Sequence, residues 1–107
     1  MSAHPARKLD DAVHQRVRLG ILAVLAEAQR ADFAYLRDSL ELTDGNLAAH
    51  LRSLEQAGFV TSKRREDGGR PRTWVRATPA GRAALQAELN VLKELIARAD
   101  RGQSQPR

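Results

Sequence analysis

The feature that most limits the fold of this chain is a change of hydrophobic period at Gly58. Before this glycine, apolar side chains recur at helical spacing, on a stripe formed by Leu47, Leu51 and Leu54. After it, residues 59–65 and 72–77 have the composition of strands, and they flank EDGGRP, whose glycine pair favours a tight turn. The pattern predicts a helix that ends at a left-handed glycine and is followed at once by a β-hairpin.

Three more helices are predicted around this unit. The first begins near Leu9 and carries one continuous apolar face. A short helix starts at Asp32, whose carboxylate can accept hydrogen bonds from the first free N–H groups. The last follows Thr78 and Pro79, a cap residue and then a proline at a position that needs no N–H, and it runs to about Asp100. The order predicts a mainly α fold with a small β-wing, that is, a winged helix-turn-helix.

Length and composition narrow the class of protein. The chain has 107 residues, enough for one modest core. It has no cysteine, which excludes disulfides and thiolate ligands, and its three scattered histidines lack the spacing of a zinc site, so no metal or cofactor is expected. No stretch approaches 18 apolar residues, and a soluble, cytoplasmic protein without membrane contact is expected. The predicted parts are a disordered leader (1–8), a winged domain (9–77), a dimerisation helix (78–100) and a flexible tail (101–107).

The charge balance favours a polyanionic partner. Lys and Arg total 18 against 13 acidic residues, which gives a net charge of +5. Most of these basic residues are arginine, a side chain suited to phosphate and guanine contacts. The same bias also arises from a GC-rich coding sequence, so it does not by itself identify the partner.

The surface of the third helix opposite its leucine stripe is short, small and hydrogen-bonding. It comprises Gly45, Asn46, Ala49, Arg52, Ser53 and Gln56, with His50 at its boundary. Such residues let a helix approach DNA closely, since Asn pairs with adenine edges and Arg with guanine or phosphate. Two alternatives remain open at this stage. The segment from Asp44 to Asn46 is otherwise only a capping turn after Thr43, and His50 is otherwise a partly buried side chain packed on the second helix.

The predicted hairpin carries a local excess of positive charge. Its basic residues are Lys63, Arg64, Arg65, Arg70 and Arg72, against Glu66 and Asp67. A charge run of this kind is usually a solvated face. Next to a DNA-reading helix, however, arginines on a hairpin can follow the phosphate backbone or enter a minor groove.

The last helix has apolar residues spaced 4, 3 and 4 apart, at Leu85, Leu89, Leu92 and Ile96. This seam could dock on the first helix within one domain. A helix of about 22 residues extends roughly 33 Å, more than a domain of this size needs. With Leu19 and Leu22, which lie off the main face of the first helix, the seam predicts a two-fold interface between the first and last helices of two subunits.

Four segments together resemble the small winged-helix transcriptional regulators related to the MarR and ArsR groups. They read DGNL, HLRSLEQAGFV, GRPRT and TPAGR, and the resemblance covers about residues 9–90. It implies a homodimer that binds double-stranded DNA at a pseudo-palindromic operator and regulates transcription, with repression expected. It implies DNA contact by the third helix, at Thr43, Asp44, Gly45, Asn46, Ala49, His50, Arg52 and Ser53. The metal-sensing ArsR branch uses cysteine-rich ligand sets, and this chain has none.

Other functions remain as alternatives. A winged-helix module that binds another protein, and not DNA, has the same fold. An enzyme is disfavoured because no nucleophile motif, P-loop or acid pair in an apolar setting is present in the sequence. A small-molecule effector is possible in a cleft beside the dimerisation helices, although no polar cluster in the sequence indicates one.

Overall fold

The computed structural model describes the backbone of residues 5–104 and the side chains of residues 15–103. Its elements in chain order are α1 (Pro5–Ala28), β1 (Ala31–Asp32), α2 (Phe33–Ser39), α3 (Asp44–Gln56), β2 (Val60–Asp67), β3 (Arg70–Ala77) and α4 (Pro79–Ser104). The predicted mainly helical winged fold is confirmed. The helical period before Gly58 and the extended period after it correspond to α3 and β2, and Gly58 has the left-handed φ of 79° that the pattern predicts.

Both long helices extend beyond their predicted ends. α1 begins at Pro5, so residues 5–8 of the predicted leader are helical, and proline is well tolerated in a first helical turn. α4 continues to Ser104 and includes most of the predicted tail. Residues 1–4 and 105–107 lie outside the described residues. Although α1 and α4 have 24 and 26 residues, no helix in the described part of the chain is apolar over a length that could cross a membrane.

The sheet has three strands, not the two of the predicted hairpin. β1 pairs antiparallel with β3 through Ala31↔Val75 and Asp32↔Trp74, so the strand order is β1-β3-β2. A strand of two residues has no alternating pattern that a sequence could reveal. Asp32 also caps α2, since its Oδ1 accepts from the backbone N–H of Tyr35 at 2.7 Å, as predicted.

One core joins all these elements. Its fully buried side chains come from α1, α2, α3 and β3, and they are Ile21, Leu25, Leu36, Leu47 and Val75. Each such side chain stabilises the fold by about 1.5–3 kcal/mol relative to exposure. The leucine stripe of α3 therefore faces inward, which leaves the opposite side of α3 on the surface.

The end of α3 is tied directly to the start of α4. Thr78 donates from Oγ1 to the carbonyl oxygen of Gly58 at 2.6 Å and from its backbone N–H to the carbonyl oxygen of Phe59 at 2.9 Å. The same Oγ1 accepts from the N–H of Gly81 at 3.0 Å, which confirms Thr78 as the predicted cap. Gly81 lies so close to this junction that a Cβ there would be 2.0 Å from the Phe59 carbonyl oxygen. Only glycine fits this position without a shift of the backbone.

Candidate nucleic-acid interface

The first turn of α3 is capped and exposed. Thr43 has an extended backbone, with φ −79° and ψ 159°, and its Oγ1 accepts from the N–H of Asn46 at 3.1 Å. This confirms the predicted cap. Asp44, Gly45 and Asn46 are all exposed. The turn is thus held by its cap and open to solvent, as close approach to a phosphate or base edge requires.

Gly45 has no structural reason to be glycine within this chain. A Cβ at this position would meet no heavy atom within 4 Å, and Gly45 is not among the residues with positive φ. Inside a helix, glycine costs about 1 kcal/mol relative to alanine. The open space above Gly45 is therefore available to a molecule outside this subunit.

The outward face of α3 holds six of the eight predicted contact residues. The exposed ones are Thr43, Asp44, Gly45, Asn46, Ala49 and Arg52. Ser53 is half-buried where α3 meets the groove beside α1 and α4. The exposed set combines small side chains, an amide and a guanidinium, which are the groups that read base edges in a major groove.

His50 does not belong to this face. It is 9% exposed and lies with Leu47, Leu51 and Leu54 on the buried side of α3. At 3.6 residues per turn, His50 falls about 60° from Leu47, at the edge of the leucine stripe. The structure therefore favours the alternative interpretation of a buried histidine over the predicted DNA contact.

An ion pair that sequence reasoning missed positions the start of α3. Arg37 of α2 donates from Nη1 to Asp44 Oδ1 at 2.9 Å and from Nε to Asp38 Oδ1 at 2.9 Å. The hydrogen bonds to Asp38 and Asp44 raise the pKa of the Arg37 guanidinium above its ordinary value. The carboxylate of Asp44, which would repel phosphates if alone, therefore has a cation beside it.

The wing is a tight hairpin whose five predicted basic residues are all exposed: Lys63, Arg64, Arg65, Arg70 and Arg72. Gly68 and Gly69 have φ of 60° and 80°, as in a two-residue hairpin turn of the I′ kind, and they lie between the paired residues Asp67 and Arg70. The register pairs Lys63 with Trp74 and Arg65 with Arg72.

The five basic residues do not share one face of the hairpin. Because cross-strand partners lie on the same face and neighbours alternate, Lys63, Arg65, Arg70 and Arg72 share the face away from the core. Arg64 pairs with Thr73 and lies on the same face as the buried Val75. The excess of positive charge therefore lies on the face away from the core, whereas Arg64 shares its face with Glu66.

Trp74 lies on the outer face of the sheet, opposite the face of the buried Val75. The guanidinium carbon of Arg30 lies 4.2 Å from the centroid of its ring, which is a cation–π contact. Arg76 is exposed and lies on the same outer face, opposite Thr61. The sequence did not indicate that Arg30 and Arg76 belong to this surface. Arg30 is distant from the hairpin in the sequence, and Arg76 lies at the end of β3 that is far from the turn.

The predicted dimer residues separate into two groups. Leu22 and Leu85 are each only 6% exposed and belong to the core of this subunit, and Leu19 and Leu89 pack against that core. The prediction that Leu22 and Leu85 are interface residues is corrected on this ground, since little of either side chain is left for a partner. Leu92 and Ile96 are 38% and 59% exposed. With Val91 and Leu95 they form an exposed apolar stripe on the second half of α4.

An open groove of about 700 Å³ lies where α1, the end of α3 and α4 meet. Its apolar walls include Leu19, Leu22, Phe59, Leu85 and Leu92. This is the place where the sequence left room for an effector. Among the described residues, no three His, Asp or Glu side chains converge as ligands for a metal ion.

Comparison with known families agrees with this geometry. Residues 17–96 match the family model described as a winged helix DNA-binding domain. The chain belongs to this family. The family match spans α3, the wing and most of α4, which are the elements that carry the exposed polar turn and the basic hairpin.

Similar proteins occur in archaea and in bacteria. An uncharacterised protein of Methanocaldococcus jannaschii is 44% identical over 80 residues, which cover 75% of this chain and 84% of that protein. A transcriptional regulator of Mycobacterium tuberculosis is 41% identical over 68 residues, 64% of each chain. Membership of the winged-helix regulators thus rests on sequence as well as on fold.

Solved structures show the same arrangement. A transcriptional regulator homologue from Pyrococcus horikoshii is 38% identical and superposes with a TM-score of 0.74 over 79% of this chain and 84% of that one. A PadR-like transcription factor from Bacteroides fragilis has a TM-score of 0.79 over 89% of this chain and 97% of that one, at 18% identity. The second likeness shows the fold alone.

Proposed function

We propose that this chain is a transcriptional repressor that binds a pseudo-palindromic double-stranded DNA site as a homodimer. The observation that carries the proposal is the capped, exposed first turn of α3, whose Gly45 is required by nothing within the chain. In a helix-turn-helix, this end of the second helix meets base edges in the major groove. Membership of the winged helix DNA-binding family supports DNA as the partner.

Roles follow from the positions of the side chains. Asn46 and Arg52 are the exposed groups of α3 that can pair with base edges, and Ala49 lets the helix come close. The basic residues of the wing contact phosphates or a narrow minor groove. Phosphate contacts supply affinity that depends on salt, whereas sequence preference comes from α3.

The homodimer rests on the exposed stripe of α4. Val91, Leu92, Leu95 and Ile96 are each between 38% and 59% exposed, and apolar side chains in such a group are stabilised when a second copy covers them. A two-fold axis through this stripe would present two α3 helices to successive major grooves about 34 Å apart. A site with inverted half-sites follows from that symmetry.

Repression is the simpler mode of action for this architecture. We assign the described elements to DNA contact, to the core or to the exposed stripe of α4. Repression needs no further surface, because a protein that occupies a promoter blocks transcription by its presence. The finer placement beside the MarR and ArsR groups stays a prediction, because a PadR-like structure shares the fold equally well. An effector that enters the groove beside α1 and α4 is compatible with the proposal and is not needed by it.

Selection of genomic fragments bound by the purified protein tests the proposal. We expect enrichment of a motif with two inverted half-sites, and a steep loss of affinity with salt, with the slope of log K against log salt near −0.9 per phosphate contact. If no duplex is retained, DNA binding is wrong and the protein-interaction module is the better explanation. If a motif without inverted symmetry is recovered, the dimeric arrangement is wrong.

A further inference from the structure

We infer that the outer face of the sheet around Trp74 holds a phosphate of the DNA backbone outside the segment read by α3. This inference rests on the proposed function, and it adds Arg30 and Arg76 to the DNA-contacting surface. The place is a small depression of about 100 Å³. It is lined by Arg30, Thr61, Lys63, Arg65, Trp74 and Arg76.

The depression collects positive charge without a compensating acid. Four of its six lining residues are cations, and none is acidic. In the described part of the chain, no carboxylate lies within 4.0 Å of any of these four side chains. Four other arginines do have an acidic neighbour within this distance, namely Arg37, Arg72, Arg98 and Arg101. Four cations gathered in this way repel one another unless an anion from outside lies among them.

Trp74 fixes the geometry of the depression. Its ring is flanked by the guanidinium of Arg30 at 4.2 Å, so this cation is held in place before any ligand arrives. The indole Nε1 is buried and has no hydrogen-bond acceptor in the described structure. A phosphate oxygen pairs with guanidinium groups through charge-assisted hydrogen bonds.

The arrangement fits a linear polyanion better than a single free ion. The same outer face continues from Arg76 through Trp74 and Arg72 to Arg70, with Lys63 and Arg65 opposite. From Arg76 to Arg70 this row extends about 20 Å, at 3.3 Å per residue. One strand of B-DNA carries a phosphate every 3.4 Å along the axis, so the row can follow several phosphates. Asp67, opposite Arg70, and Asp32, which pairs with Trp74 and lies 3.7 Å from Arg72, lower the charge of this row, and neither of them lines the depression.

The test compares two duplexes with one double variant. One duplex carries the selected site with about ten base pairs, one helical turn, of flanking DNA on each side, and the other is trimmed to the site. The variant is Arg30→Gln with Arg76→Gln. The control is Lys93→Gln with Arg98→Gln. It also removes two positive charges, but from the exposed surface of α4, distant in sequence from the depression. Affinity is measured by anisotropy over a range of salt concentrations.

On the flanked duplex we expect the variant to bind more weakly and its salt slope to fall by about 1.8, from one phosphate in each of the two subunits at 0.9 each. On the trimmed duplex it should match the wild type, and the control should match the wild type on both. Equal binding of variant and wild type to the flanked duplex would overturn the inference and leave the proposed function intact. Failure of the wild type to bind either duplex would overturn the proposed function and the inference with it.

Tryptophan fluorescence distinguishes a phosphate of the DNA backbone from free inorganic phosphate, and Trp74 is the only tryptophan of the chain. We expect its emission to change with the flanked duplex, and not with the trimmed duplex. Inorganic phosphate is added in parallel at matched ionic strength. One result would overturn the assignment to DNA: inorganic phosphate changes the Trp74 emission, and the flanked duplex neither causes the same change nor reverses it. The depression would then be a site for a free anion.

Discussion

Arg37 Nη1 lies 2.9 Å from Asp44 Oδ1, so α2 holds the first turn of α3 by an ion pair. Both side chains are within reach of solvent, and the pair adds little to the stability of the fold. Its consequence concerns DNA. It orients the Asp44 carboxylate toward α2 and places a cation beside it.

We expect Arg37→Gln to weaken binding to the selected site by roughly tenfold, because Asp44 then faces the phosphates unpaired. Asp44→Asn should restore much of this loss, so the two effects will not add. The measurement is a double-mutant cycle of dissociation constants. Asp38→Asn is the matched control, since it removes the other partner of Arg37 and leaves Asp44 in place. Strict additivity of the two substitutions would show that the pair does not act in binding.

The same arginine gives a prediction on pH. Its hydrogen bond holds the pKa of Asp38 below its usual value of 3.8. A carboxyl with a depressed pKa in the folded state contributes stability that is present above its unfolded pKa and lost as pH falls through the folded value. The free energy of unfolding should therefore differ between wild type and Asp38→Asn at neutral pH, and the difference should shrink below pH 3.8. A difference that grows on acidification would contradict this.

Gly45→Ala should separate stability from function. Helix propensity favours alanine by about 1 kcal/mol, and the new methyl group meets nothing in the chain, so urea unfolding should show a more stable protein. Binding to the selected site should become weaker because the methyl group occupies the space where α3 approaches DNA. Gly102→Ala, on α4 and also without a neighbour, should share the gain in stability and leave binding unchanged. Unchanged binding by Gly45→Ala would mean that this turn does not touch DNA.

Gly81→Ala should destabilise the fold by about 1–3 kcal/mol, the usual cost of forcing a group into a packed site. The added Cβ would be 2.0 Å from the Phe59 carbonyl oxygen, and backbone cannot move aside as a flexible side chain can. Urea denaturation measures the effect. Gly102→Ala in the same helix serves again as the reference, since it adds the same methyl group in open space.

Subunit pairing is tested on the exposed stripe of α4. Leu92→Glu with Ile96→Glu should leave a folded protein and reduce its mass in light scattering from twice 11.8 kDa to 11.8 kDa. Lys93→Glu, on the same helix and also exposed, should remain dimeric. Leu85→Ala should instead lower stability by about 2–5 kcal/mol, as expected of a core residue. A wild type that is monomeric at micromolar concentration would remove the dimer.

Local signals in the sequence were enough for most of the fold. The caps at Asp32, Thr43 and Thr78 and the left-handed Gly58 depend on residues a few positions apart, and all four are confirmed. β1 was missed because a two-residue strand has no period and is defined by its pairing with β3.

The parts of the site that depend on distant contacts were less predictable. Periodicity showed that Leu22 and Leu85 are buried but could not say whether their own subunit or a partner buries them. Arg37 and Asp44 are brought together only by the packing of α2 on α3, and Arg30 reaches Trp74 only through the pairing of β1 with β3. His50 lies at the edge of the leucine stripe, where a rotation of a few tens of degrees decides between core and surface.

The hydrogen bonds of Thr78 to Gly58 and Phe59 connect the end of α3 directly to the start of α4. In a dimer paired through α4, the separation of the two half-sites is then fixed by the register of that helix pair. A slip of one helical turn would displace each reading head by about 5.4 Å, more than one base-pair step of 3.4 Å. A change in the packing of α4 would therefore weaken DNA binding by altering the distance between the two α3 helices, even though every side chain that contacts a base is unchanged.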